Sequence, residues 1–116
     1  MTRTSRQYLH DILNSAETIE RLVSGMSLDE VTADERTLLA LMMSFTIIGE
    51  ATKNIPQSLR NKYPQLPWKN IAGMRDKIVH EYFQTNFKIL WQTIQIDIPQ
   101  LKIWISEILG HLEEDE

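Results

Sequence analysis

The stretch TADERTLLALMMSFTIIGEATKNIP, residues 32–56, decides the fold. Leu38, Leu39, Leu41, Met42, Met43, Phe45, Ile47 and Ile48 stand so close together that a helix through them is apolar on more than one face. Such a helix lies at the centre of a bundle, in an oligomer interface, or both. Thr32 to Glu35 reads as a capping box, and the helix is expected to open near Ala33. Pro56 stops it. Ser27 to Glu30 has the same capping pattern just upstream.

The neighbouring segments supply what such a helix would pack against. Upstream, Tyr8, Leu9, Ile12, Leu13, Ala16, Ile19, Leu22 and Val23 recur at helical steps, and Gly25 is a natural stop. Downstream, a short helix is expected from Pro56 to Tyr63, with proline at its first position. Pro64 and Pro67 bracket a tight link. Pro67 then opens a helix with Trp68, Ile71, Met74 and Ile78 on one side. The last helix is expected from about Phe87 towards Leu112, kinked by Pro99, which removes a donor and clashes with the previous turn. The acidic tail EEDE is expected to fray. No strand pattern, repeat or low-complexity linker is present. The expectation is an all-α, up-and-down bundle of four main helices plus one short helix, a single domain over residues 1–116.

Composition narrows the function. At 116 residues the chain can bury a core without disulfides or metals. Hydrophobic residues at 42% and charged residues at 24% argue against disorder. A net charge of −4 means that any nucleic-acid contact must come from a local patch. The absence of cysteine excludes thiol catalysis and cysteine zinc sites, and it fits a cytoplasmic protein. The N-terminus lacks the apolar core of a signal peptide, and the longest apolar tract is too short to span a bilayer, so no membrane partner is expected.

Chemistry concentrates in one place. His10 and His111 have no obvious partner in sequence, and His111 reads as a favourable charge at a helix C-terminus. The Glu-x-x-His repeats of di-iron bundles are absent, and Asp76 with His80 and Glu107 with His111 are ordinary helix-surface pairs. No metal and no cofactor are expected. The segment MRDKIVHEYF, residues 74–83, differs. Arg75 and Tyr82 are close to two turns apart and share a face, whereas His80 points well round the axis. The three meet only if the helix loosens near His80 or a second subunit completes the site. Six of the twelve basic residues, Lys53, Arg60, Lys62, Lys69, Arg75 and Lys77, fall in one span that holds a single acid, Asp76. Tyr63, Trp68, Tyr82 and Phe83 are interleaved or adjacent. Such a segment can hold phosphates and stack bases of single-stranded nucleic acid. The plainer alternatives are a salt-bridged Arg75, a helix-capping His80 and a core-packed Trp68.

Arg75-Asp-Lys-Ile-Val-His80-Glu-Tyr82 has the form R-x-x-x-x-H-x-Y and resembles the signature of the HepT toxins of the HEPN superfamily. IIGEA (47–51) resembles that family's central-helix motif, PWKNIAGMRDKIVHEYF (67–83) its active-site segment, and DIPQL (97–101) its last helix. The likeness covers nearly the whole chain, with no departure at the motif positions. It implies a homodimeric, metal-independent endoribonuclease. It further implies a toxin–antitoxin pair whose antitoxin, a minimal MntA-type nucleotidyltransferase, adds AMP to the motif tyrosine, here Tyr82. The spacing of the residues shows none of this. It only makes a single-chain Arg75–His80 site awkward, in keeping with a shared one.

Metal-free RNA cleavage needs a base for the attacking 2′-OH, an acid for the leaving oxygen and positive charge on the phosphorane. His80 is the candidate base or acid and Arg75 the phosphate clamp, with Lys77 as possible support. Glu50 on the central helix is the candidate for orienting Arg75. For the dimer, Met42, Met43, Phe45 and Ile47, with Ile96, Ile103 and Trp104, offer more apolar surface than one small bundle needs. A different class of function also fits: a non-catalytic helical adaptor of a minimal nucleotidyltransferase, in which the motif only positions Tyr82. A bundle with no partner is a third.

Overall fold

The central helix forms as residues Glu35–Lys53 and buries Leu38, Leu41, Phe45, Ile48 and Ala51. The computed structural model describes residues 2–114. In chain order these form α1 (Ser5–Val23), α2 (Leu28–Ala33), α3 (Glu35–Lys53), α4 (Gln57–Arg60), α5 (Trp68–Ala72) and α6 (Met74–Phe83). They continue through α7 (Phe87–Gln92), a π-helical turn (Thr93–Asp97) and α8 (Ile98–Glu114). No strand occurs among the described residues. The expected frayed tail falls partly on residues 115 and 116, which lie outside the described range.

Four rods make up the bundle: α1, α3, α5 with α6, and α7 through α8. α3 packs on α1 and on α5–α6, and α1 also packs on α8. The apolar stripe of α1 explains its place, since Leu9, Ile12, Ala16 and Ile19 are all fully buried. Burying a leucine or isoleucine contributes roughly 1.5–3 kcal/mol, so this stripe fixes the rotation of α1 about its axis.

Boundaries follow the caps. Thr4 and Gln7 form a capping box on α1, and Gly25 leaves it at φ 75°. Ser27 and Glu30 form the second box, on α2. The box expected at Thr32–Glu35 is not made. Thr32 lies inside α2, where its hydroxyl donates to the Asp29 carbonyl at 3.2 Å. The extra turn of α2 serves to bury Val31 completely. Asp34 caps α3 instead, accepting from the Arg36 N–H at 3.1 Å and the Thr37 hydroxyl at 2.8 Å. Pro56 is the N-cap of α4, not its first residue.

Two further expectations are corrected. The helix after Pro67 is two helices, α5 and α6, with a break at Gly73. The last helix does not simply kink at Pro99. It widens before it, and the Ile98 N–H reaches back to Thr93, five residues away. Pro99 has no N–H, and its ring would clash with the Gln95 carbonyl in a regular turn. The wider π turn moves that carbonyl aside.

Candidate active site

α6 carries Arg75, Lys77, His80 and Tyr82, and it is regular through all four. The Gln84 N–H donates to the His80 carbonyl at 3.0 Å, so the helix does not loosen at His80. At about 100° per residue, Tyr82 stands about 20° from Arg75, and His80 about 140° away. A single chain therefore places Arg75 and Tyr82 on one edge and His80 on the outer face, all three exposed.

Gly49 sets where the Arg75 edge lies. A Cβ on Gly49 would come 3.0 Å from the Ala72 carbonyl oxygen and 3.6 Å from the Arg75 Cβ. The IIGEA segment thus lets α3 press backbone to backbone on the α5–α6 junction. One residue on, Glu50 points outward. It pairs with Lys53 at 3.4 Å, while Arg75 pairs with Asp76 at 3.1 Å. The expected role of Glu50 in orienting Arg75 is not formed within one chain.

α3 also exposes an apolar stripe: Leu39 at 63%, Met43 at 61% and Ile47 at 39%. Their four-residue spacing keeps them on one face. The apolar surface expected for a dimer is thereby revised. Phe45 is fully buried in the core and Leu39 takes its place outside. Ile96 and Ile103 are exposed on the separate rod of the π turn and α8.

The family model described as ribonuclease HepT-like matches residues 12–108. The chain belongs to the ribonuclease HepT-like family. The resemblance drawn from the R-x-x-x-x-H-x-Y segment is thus borne out. Similar proteins carry ribonuclease names. A protein of Caldanaerobacter subterraneus subsp. tengcongensis named "Putative RNase" is 45% identical over 107 residues, 92% of this chain and 96% of its own. Another "Putative RNase", from Methanocaldococcus jannaschii, is 41% identical over 112 residues, 96% and 93% of the two chains. A "Probable ribonuclease HepT" of Thermococcus cleftensis is 39% identical over 102 residues, 88% and 93%. No solved structure matches this chain.

In this HepT-like chain the structure also sorts the basic run. Arg60 is spent on the fold: its guanidinium donates to the carbonyls of Ile55 at 3.0 Å and Thr52 at 2.6 Å, and lies over the Trp68 ring. Trp68 is core, 8% exposed, with its indole N–H on the Tyr63 carbonyl. Lys69 and Lys77 are exposed on the other side of the α5–α6 rod from Arg75. His111, unpartnered in the sequence, meets the Tyr63 hydroxyl at Nδ1, 2.9 Å away. Among the described residues no three metal-ligating side chains of the His, Cys, Asp and Glu type converge. No helix among them is long and apolar enough to cross a membrane.

Sequence reasoning missed Gly49 as the contact that sets Arg75, because a close approach between helices leaves no local signature. It also missed the strained end of α6. Thr85 adopts φ 54°, and the Asn86 and Thr85 N–H groups bond Glu81 and Tyr82. That is a Schellman cap on a β-branched residue, which usually falls to glycine or asparagine.

Proposed function

We propose that this chain is a metal-independent endoribonuclease and the toxin of a toxin–antitoxin pair, working as a homodimer whose sites draw on both protomers. The observation that carries this reading is the split of the motif. Arg75 and Tyr82 share one edge of α6, and His80 faces about 140° away. One phosphate cannot sit against both within one chain. A second copy seated on Leu39, Met43 and Ile47 and on the outer face of α6 lies against both edges.

In such a site one His80 takes the proton of the 2′-OH as that oxygen attacks the neighbouring phosphorus. The other His80 gives a proton to the departing 5′-oxygen, leaving a 2′,3′-cyclic phosphate and a 5′-hydroxyl. Arg75 holds two phosphate oxygens through the phosphorane. The antitoxin is a minimal nucleotidyltransferase met in the cytoplasm. It transfers AMP from ATP to the Tyr82 hydroxyl and releases pyrophosphate. The added bulk and negative charge repel RNA phosphate. The half-open position of Tyr82, at 37% exposure beside Phe83 and Phe87, supports this.

The test is cleavage of total RNA and tRNA in excess EDTA by protein of verified unmodified mass. Wild type is expected to cut and leave cyclic phosphate ends. His80→Ala and Arg75→Ala are each expected to lose roughly a hundredfold or more. Mixing wild type with an excess of His80→Ala is expected to lower cleavage per wild-type protomer, because a heterodimer holds one His80 where the site uses two. Cutting by His80→Ala alone sinks the mechanism. Undiminished cleavage per wild-type protomer in that mixture, with exchange between protomers shown, sinks the shared site.

A further inference from the structure

A groove of about 470 Å³ runs between the α5–α6 rod and the rod of the π turn and α8. Lys69, Asn70 and Lys77 line one wall, and Asp97, Gln100 and Trp104 the other. Its size lies within the ordinary range of ligand sites. Met74 and Leu101 give it an apolar floor. None of these residues is used by the chemistry proposed above, apart from the auxiliary Lys77.

Three features narrow the occupant. Charge is the first: the chain is net −4, yet two lysines flank this groove, and Lys77 is one turn from His80 on the same side of α6. Shape is the second. Trp104 is half-buried, so an indole wall stands beside an open slot. Aromatic side chains stack unpaired bases while lysines hold the flanking phosphates. The third is the polar edge. Asp97 is the last residue of the π turn, and such turns re-aim side chains and recur at functional sites. A carboxylate can only accept hydrogen bonds, so at neutral pH it selects a base edge that presents N–H donors. Guanine presents two adjacent ones, uracil a single imide N–H.

We infer that this groove is a base subsite for single-stranded RNA, in which Trp104 stacks one unpaired base next to the cleavage site and Asp97 favours guanine. The inference rests on the ribonuclease reading for its substrate class and adds the specificity pocket. Lys69 and Lys77 hold the phosphates on the side towards His80. Asn70 and Gln100 complete the edge.

The experiment uses full-length protein labelled with 5-fluorotryptophan and titrated with 2′-O-methyl tetranucleotides of G, A, C or U, which cannot be cleaved through the blocked hydroxyl. Trp104→Phe assigns the Trp104 fluorine signal and keeps the stacking, so its affinity is expected within about twofold of wild type. The Trp104 signal is expected to move while Trp68 and Trp91 stay still, with the G probe binding best. Trp104→Leu weakens binding by about tenfold or more. Asp97→Asn erases the preference for G over U.

A still Trp104 signal overturns the subsite, as does unchanged affinity in folded Trp104→Leu. Conversion of Trp104→Leu protein to monomer overturns it too, since the groove is then an interface between copies. The two readings fail separately. RNA cleavage whose base preference survives Trp104→Leu removes the subsite and leaves the ribonuclease. Probe binding at Trp104 in a protein that cuts no RNA removes the ribonuclease and keeps the subsite.

Discussion

Single residues here divide into those that serve the fold and those left over for RNA. Arg60 shows how the division works. Its sequence neighbours suggest phosphate binding, yet its guanidinium covers two carbonyls at the end of α3. Arg60→Ala is expected to cost about 2 kcal/mol, because hydrogen bonds to a charged group are worth more than neutral ones. Chemical denaturation checks this, and an unchanged midpoint would show that water replaces the guanidinium. Thr85 is the opposite case, a residue held at a cost. At φ 54° a β-branched side chain is strained by about 1–2 kcal/mol. Thr85→Gly is expected to raise stability by about 1 kcal/mol while keeping the Schellman bonds. A fall in melting temperature would show that the Thr85 hydroxyl contact to Gln84 outweighs the strain.

Among the elements, the junction of α3 with α5–α6 matters most for the site. Gly49→Ala puts a methyl 3.0 Å from a backbone carbonyl oxygen, which cannot turn away as a side-chain tip can. Overpacking costs about 1–3 kcal/mol, and the better helix propensity of alanine returns at most about 1. A net loss near 1 kcal/mol is expected, together with a drop in RNA cleavage, since Arg75 moves with the junction. Full cleavage in Gly49→Ala would mean the contact is only structural. The helix caps give a second prediction. The Ser27 backbone N–H, then its hydroxyl, hold the Glu30 carboxyl below its ordinary range, and the Thr37 hydroxyl does the same for Asp34. Folding therefore favours the ionised forms. Their contribution is full above the ordinary carboxylate range of about 4 and fades as pH falls below it. The α1 cap uses Thr4 and Gln7, which do not titrate. Amide exchange at the starts of α2 and α3 is expected to quicken in acid relative to the start of α1; equal quickening would refute the assignment.

For the whole molecule the open question of chemistry is association. The radius of gyration is 14.5 Å, against about 13 Å for a compact domain of this length, so the bundle is elongated. Leu39→Glu with Met43→Glu is expected to turn the proposed dimer into a monomer with full helicity and no RNA cleavage. Sedimentation and circular dichroism decide it. A monomeric double variant that still cuts RNA would leave the split motif without its explanation.

The sequence by itself determined the four rods, the buried stripe of α1 and the segment holding Arg75, His80 and Tyr82. These depend on spacing along the chain, and helical periodicity records spacing directly. It left open whether the helix loosens near His80, and the structure shows α6 regular through that residue. What it did not contain was which capping box would form at Ser27 or Thr32, since both match the same pattern and only the burial of Val31 breaks the tie. Nor did it show that Phe45 goes inward while Leu39 stays out, because a helix apolar on two faces does not say which neighbours it will meet. Only the tertiary structure brought Gly49 against Arg75, took Arg60 away from the basic run and opened a groove between Lys77 and Trp104. Those are contacts between segments distant in sequence, fixed by how the rods pack and not by any residue's own preference.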